Sequence, residues 1–346
     1  MLYQTKNPHG GDIYDKNIIL DYSANTNPFG TPEGVKKAII DSASQVDRYP
    51  DPYCRALTEA IADFEGVEKD HILVGSGSAD LIYTFGRALS PSSAAELAPT
   101  FSEYSLGLTG TDCKMERFFL YKEDGFLPDS SLMDFLKDKQ PEVLFLCNPN
   151  NPTGQLIPEA LLLDVLDLCR RLNIRVFLDE CFLDLTGLNV TMKAYLEKYP
   201  NLLILKAFTK SYGMAGVRLG YCLCADHELL MKMSELSQPW NVSTPAQKAG
   251  IAALKEQDFL KKALSVIGEE RAFLAENLKA LGFDVCPSCA NYILFEAFET
   301  LGEELLNKGI MIRDCSNYYG LTKGWYRIAV RTREENEQLV NALEQI

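Results

Sequence analysis

The stretch FTKSYGMAGVRLGY, residues 208–221, holds a single lysine, Lys210, among small, aromatic and apolar residues. Arg218 follows eight positions later, ahead of the strand-like LGYCLC. A lysine in such company is either a surface side chain with its amine in water or a working amine held out of it. The surrounding chain decides between the two.

Outward from that stretch, short apolar runs alternate with amphipathic segments. ILV (72–74), AAEL (94–97), VLFLC (143–147), RVFLD (175–179), residues 202–205 and LGYCLC (219–224) read as strands, and PEALLLDVLDLCRRLN (158–173) as a helix. Apolar strands without alternation, separated by helices, predict an α/β fold with a mostly parallel sheet covered on both faces. The pattern changes after about residue 236. A helical region (245–280), the strand NYILFEA, a short helix (301–308), the strand YRIAV and the helix REENEQLVNALEQI predict a second, α+β lobe. The N-terminal arm, rich in Pro, Gly and Asn, reads as an ordered loop against a site or a partner.

The 346 residues suffice for a large core in two lobes. The chain is 47% hydrophobic and carries a net charge of −14, with no Lys/Arg cluster, which argues against nucleic acid. No apolar run approaches the roughly 18 residues of a membrane span. The N-terminus lacks the apolar core of a secretory signal, so the cytoplasm is the expected compartment. Most of the ten cysteines, such as Cys147, Cys169, Cys222 and Cys224, sit in apolar runs and read as small core residues. Cys286 and Cys289 have CxxC spacing but no second pair. With only three histidines in the chain, no metal site is expected.

Ligands of open parallel sheets sit beyond the carboxyl ends of the strands. Strand 143–147 runs into NPNNPTG (148–154), strand 175–179 ends in Asp179-Glu180, and strand 202–205 leads to Lys210. Each alone reads as a turn, a cap or a salt-bridge partner; together they gather an asparagine, an acid and a lysine at one rim. GSGSAD (75–80) opens a helix after a strand, so its backbone N–H groups, with Thr209 and Arg218, can cradle a phosphate. This set matches the needs of pyridoxal phosphate. A lysine forms a Schiff base with the aldehyde, a buried Asp keeps the pyridine nitrogen protonated, and an asparagine bonds the ring oxygen. PTFSEYS (99–105) offers Phe101 and Tyr104 for stacking on the ring.

On Asn151 in NNPTG, Asp179 in LDE, Lys210 in FTK and Arg218 in GVRLGY, the chain resembles the fold-type I pyridoxal-phosphate enzymes of the aspartate-aminotransferase superfamily, over essentially its whole length. The resemblance implies a large domain, 45–235, with a mostly parallel seven-stranded sheet, and a small α+β domain from 1–44 and 236–346. It implies cofactor contacts from Ser78, Ala79, Tyr104, Asn151, Asp179, Thr209, Lys210 and Arg218. It also implies a homodimer in which Tyr49 reaches the neighbouring subunit's cofactor phosphate. Within the superfamily, HGGDI (9–13), DYSANTNPFG (21–30), DECFLDL (179–185), QPWNVS (238–243), IRDCSNYYGL (312–321) and WYRIAVRTREEN (325–336) are similar to segments of the threonine-phosphate decarboxylases. Histidinol-phosphate aminotransferases are the next most similar group. The substrate contacts implied are His9, Gly10, Asn25, Asn151, Arg313 and Arg327, which suit a small phosphorylated amino acid. Phe182 stands where aminotransferases commonly carry a tyrosine, and Ala207 where relatives often have Ser or Thr.

Overall fold

The computed structural model describes residues 7–14 and 16–346; residues 1–6, the start of the arm, and Asp15 lie outside the described residues. The main sheet comprises β2 (Ile72–Gly75), β3 (Ser93–Ala98), β4 (Lys114–Phe119), β5 (Val143–Cys147), β6 (Arg175–Asp179), β7 (Leu202–Ala207) and β8 (Gly220–Cys224). β1 (Leu20–Asp21) precedes it in the chain. The order across the sheet is β2-β8-β7-β6-β5-β3-β4. From β4 to β7 all neighbours are parallel, and β8 is antiparallel to both β7 and β2. The mostly parallel seven-stranded sheet expected from the resemblance is therefore present. β4 is the strand that the apolar pattern does not announce. It lies at the sheet's edge, where KMERFF needs no continuous apolar run because much of it meets water.

Each inner strand feeds a core on both faces. In β7, Leu203, Leu205 and Ala207 pack with Tyr104 and Phe177, whereas Leu202 and Ile204 pack with Leu57 and Ile61 on the other side. Lys206 shares the face of Leu202 and Ile204. The helix Glu159–Arg171 shows how the covering layer is encoded. Leu162, Val165, Leu166 and Cys169 form one buried stripe. Burying each leucine contributes roughly 1.5–3 kcal/mol. Pro158 starts this helix, and Arg170 and Arg171 complement its negative end.

The second lobe is built on β9 (Asp284–Val285), β10 (Tyr292–Glu296), β11 (Ile310–Met311), β12 (Arg313–Asp314) and β13 (Trp325–Ala329). Four of them form an antiparallel sheet in the order β12-β13-β10-β9, and β11 pairs in parallel with β1. The arm is thereby stitched in: Tyr22 N donates to Met311 O, and Ala329 N donates to Tyr22 O. A capping box of Thr332 and Glu335 starts the final helix, Arg333–Leu343. The helical region expected over 245–280 divides into Thr244–Ala253 and Gln257–Ala280. The first segment packs on the helix Glu33–Ser42 and the second on β9, β10 and the final helix, so the break lets adjacent segments serve two layers. No helix among the described residues is long and apolar enough to cross a membrane.

Candidate active site

A cavity of about 320 Å³ opens at the carboxyl ends of β5, β6 and β7. Lys210 lies in its wall, in the short helix Phe208–Ser211 that continues β7. Its Nζ sits 5.4 Å from the centre of the Phe182 ring. Burial, aided by the positive charges of Arg327 and Arg218, pulls its amine down to about 8. Lys210 is half-buried, and its amine faces the cavity rather than bulk solvent. Asp179, at the end of β6, lines the same cavity. Oδ1 accepts from Cys181 N at 2.9 Å and Oδ2 from the Tyr104 hydroxyl at 2.7 Å. Burial raises its pKa against those bonds and the nearby charge of Lys210. A cation placed in the cavity would remove that penalty.

The three asparagines of NPNNPTG divide their labour. Asn148 Oδ1 accepts from Ile157 N, and Asn150 bonds Thr100, Thr153 and Pro99 O, so both hold the turn. Asn151 lines the cavity, where its Oδ1 accepts from Arg327 and from the Tyr318 hydroxyl. The turn is closed from the small lobe. Gly154 adopts φ +73°, and a Cβ there would lie 2.1 Å from Ser288 Oγ. Cys289 N donates to Gly154 O at 3.0 Å. The CxxC segment thus fastens the lobes together, with Cys286 buried and both thiols free.

A cradle forms opposite. The helix Ser78–Leu89 begins after Gly77 (φ +89°), and no side chain caps its first turn. A Cβ on Gly77 would lie 2.8 Å from Arg218 Nη2, so only glycine lets the guanidinium approach this helix end. Ser78, Ala79, Thr209 and Arg218 all line the cavity. Uncapped N–H groups, a positive helix end and a guanidinium are the donor set of a phosphate site.

From the other side come His9, Gly10, Asn25, Arg313 and Arg327. Arg327 Nη2 donates to Ser23 O at 2.8 Å, while its buried Nε has no partner among the described residues. Asn25 is 1% exposed, and neither polar atom of its amide has a partner there. Such orphaned groups are costly unless a ligand satisfies them. Arg313 donates to Pro8 O and to Asn317 Oδ1. His9 Nε2 lies 2.5 Å from Glu103 Oε1.

Two expected residues lie elsewhere. Tyr104 does not line the cavity: it is fully buried, stacked on Phe145 at 5.4 Å, and holds Asp179 through its hydroxyl. Of the two aromatics that PTFSEYS offers, Phe101 is the one that lines the cavity. Tyr49 is 79% exposed and stacks on Trp240, outside this cavity. The sequence reading passed over Ser23, Ala24, Glu103, Cys147, Cys181 and Tyr318 as wall residues. Several sit beside residues that were noted, but one-dimensional spacing carries no signal for which neighbour turns inward.

Residues 17–343 match the family described as aminotransferase class I and II. The chain belongs to that family. Its members work with pyridoxal phosphate, which is the cofactor of this chain, and the orphaned amide, the phosphate cradle and the cavity-facing amine fit such a group. The chain is 35% identical to a threonine-phosphate decarboxylase of Salmonella typhimurium over 350 residues, covering 98% of this chain and 96% of that protein. It is 30% identical to a histidinol-phosphate aminotransferase of Methanosphaera stadtmanae over 338 residues, covering 95% and 90%. Among solved structures, the histidinol-phosphate aminotransferase of Clostridium acetobutylicum superposes with a TM-score of 0.88 at 28% identity, covering 94% of this chain and 98% of that one.

Proposed function

We infer that this chain of the aminotransferase class I and II family decarboxylates L-threonine O-3-phosphate to aminopropanol phosphate, a step of cobalamin synthesis. The observation that carries this reading is the pair Arg313 and Arg327 in the same cavity as, but in a different lobe from, Arg218. Arg218 with Ser78, Ala79 and Thr209 serves the cofactor's phosphate. That leaves two guanidiniums for substrate, and threonine phosphate brings two anionic ends. Histidinol phosphate has a phosphate and no carboxylate, so it matches only one of these two guanidiniums.

In this reading residues 45–235 form the cofactor-binding domain, and residues 1–44 with 236–346 the substrate-closing arm and small domain. Lys210 Nζ would hold the cofactor aldehyde, Asp179 the pyridine nitrogen and Asn151 the ring oxygen, with Phe101 available to the ring face. Pyridoxal phosphate, once bound, supplies an electron-withdrawing ring that accepts the electron pair of a broken bond at the substrate α-carbon. Which substrate bond breaks would depend on how rotation about the α-carbon is held. Arg327, with His9, Gly10, Asn25 and Arg313, fixes that rotation by anchoring the substrate at both ends, so that the carboxylate leaves as carbon dioxide. Lys210 Nζ is the basic nitrogen for returning a proton to the α-carbon. Phe182, packed edge-on to Tyr292, has no hydroxyl to offer the ring oxygen. Tyr49, exposed here, serves the cofactor phosphate of a second copy, so the active species is a homodimer.

The test supplies threonine phosphate without any keto acid and follows carbon dioxide and the cofactor's absorbance. Carbon dioxide release with the cofactor left in its aldehyde form supports the reading. Conversion to the amine form without carbon dioxide, or brisk amino transfer from histidinol phosphate to 2-oxoglutarate, moves the assignment to an aminotransferase.

A further inference from the structure

The three segments that bring Asp179, Lys210 and Arg218 to the cavity each send a polar residue to one place behind β7. Asp184 follows Asp179 by five positions, Tyr221 follows Arg218 by three, and Lys206 and Ser211 flank Lys210. At that place Lys206 Nζ donates to Glu65 Oε1 at 3.2 Å and to Asp184 Oδ1 at 3.1 Å. Glu65, the last residue of the helix Arg55–Glu65, also accepts from the Tyr221 hydroxyl at 2.5 Å and from Lys193 at 2.7 Å. Asp184 Oδ2 accepts from Ser211 Oγ at 3.3 Å. Lys206 and Glu65 are each 4% exposed. None of these residues lines the cavity.

We propose that Lys206 and Glu65 are positioning residues, and that the buried charge cluster they centre sets the spacing of Asp179, Lys210 and Arg218. The proposal rests on reading those three as the cofactor's partners. Apolar packing would hold the same strands, but it is non-directional and tolerates small slides. Bonds between buried charges have sharp distance and angle requirements, because a buried charge left unpaired is strongly penalised. Here β7 and β8 bond the end of one helix through Lys206 and Tyr221, and the loop after β6 bonds Lys206 through Asp184. The same stretches carry the acid, the amine and the guanidinium within five residues of these bonds. Lys206 and Lys193 are bonded directly to Glu65 and Asp184, with Glu180 close by. Burial works against the Lys206 ammonium, but Asp184, Glu65 and Glu180 outweigh it and hold it charged. It therefore offers no competing amine to the aldehyde, four residues from one that does.

The experiment compares Lys206→Met, the charge-balanced double variant Lys206→Met/Glu65→Gln, and the mild Tyr221→Phe. For each, the thermal melt of the cofactor-free protein and the dissociation constant for pyridoxal phosphate, read from absorbance, are measured. The double variant should melt within about three degrees of the parent yet bind cofactor at least about tenfold more weakly; Tyr221→Phe should melt like the parent and bind about threefold more weakly. Affinity within about twofold of the parent in both, or affinity that merely tracks the melt across the set, overturns the proposal. Borohydride trapping of the cofactor on the parent protein separates the two layers. Label on a lysine other than Lys210 removes the reading on which the proposal rests, whatever the variants do.

Discussion

Lys206 and Lys210 are four residues apart, one buried and one half-buried at a cavity wall, and they behave oppositely. Lys206 is paired with two carboxylates behind the sheet and is held in its charged form. Lys210 faces the cavity beside Arg218 and Arg327 and is pulled down to about 8. Partial loss of water opposes the charged form of both, so that alone does not make an amine reactive. What differs is the sign of the neighbours. A lysine among carboxylates is a structural cation; a lysine among guanidiniums is pushed towards the neutral amine that an aldehyde needs. The same contrast separates the two regions. Behind β7 the charges are matched, whereas the cavity wall keeps an orphaned amide on Asn25 and an orphaned Nε on Arg327.

The largest test of the contrast is Lys210→Ala, which should lower turnover by about 10³-fold or more and abolish borohydride fixation of the cofactor. Fixation persisting in that variant would break the comparison. Asp179→Asn should follow, with turnover reduced about 10²–10³-fold while cofactor stays bound, as seen by its retained absorbance after desalting. It removes the charge and keeps the shape. Near-full turnover would show that the charge is idle.

A pH series sharpens the comparison further. In the cofactor-free protein, pyridoxal phosphate uptake should rise with pH through about 8, following the neutral fraction of Lys210. The folded protein holds fewer protons on this amine than the unfolded chain between about 8 and a lysine's ordinary 10.5. The cost of burying it is thus full below that window and relieved as pH rises through it. Arg327→Ala should move the uptake midpoint upward, because that guanidinium depresses the amine, and should also lower turnover on threonine phosphate. A midpoint that stays put would deny Arg327 its electrostatic role. The smallest effect belongs to the cluster's rim. Lys193, 28% exposed, is better solvated than Lys206, so Lys193→Met should cost under about 1 kcal/mol in a denaturant titration, well below Lys206→Met. An equal cost would mean that depth in the cluster does not matter.

Much of the fold and the site could be read before any coordinates. The inner strands β5, β6 and β7 are unbroken apolar runs, and parallel strands buried on both faces have to be. Because such sheets bind ligands beyond their carboxyl ends, Asn151, Asp179 and Lys210 were visible as neighbours. β4 was not, since an edge strand half in water carries no apolar run. Nor was the break before Gln257, which answers to two packing partners rather than to a helix breaker.

By itself, then, the sequence determined the α/β class, the strand ends that converge and the kinds of group they deliver, because periodicity and strand–loop order are local properties. Only the tertiary structure decided that Phe101, not Tyr104, lines the cavity while Tyr104 holds Asp179 from beneath. It alone showed that Asn148 and Asn150 hold the turn that presents Asn151, and brought Glu65 to Lys206 across 141 positions. It also sorted two lysines of one strand and its continuation onto opposite sides. The physical reason is that the field at a buried charge is set by whatever packing brings within a few ångströms, and no spacing along a chain records that distance.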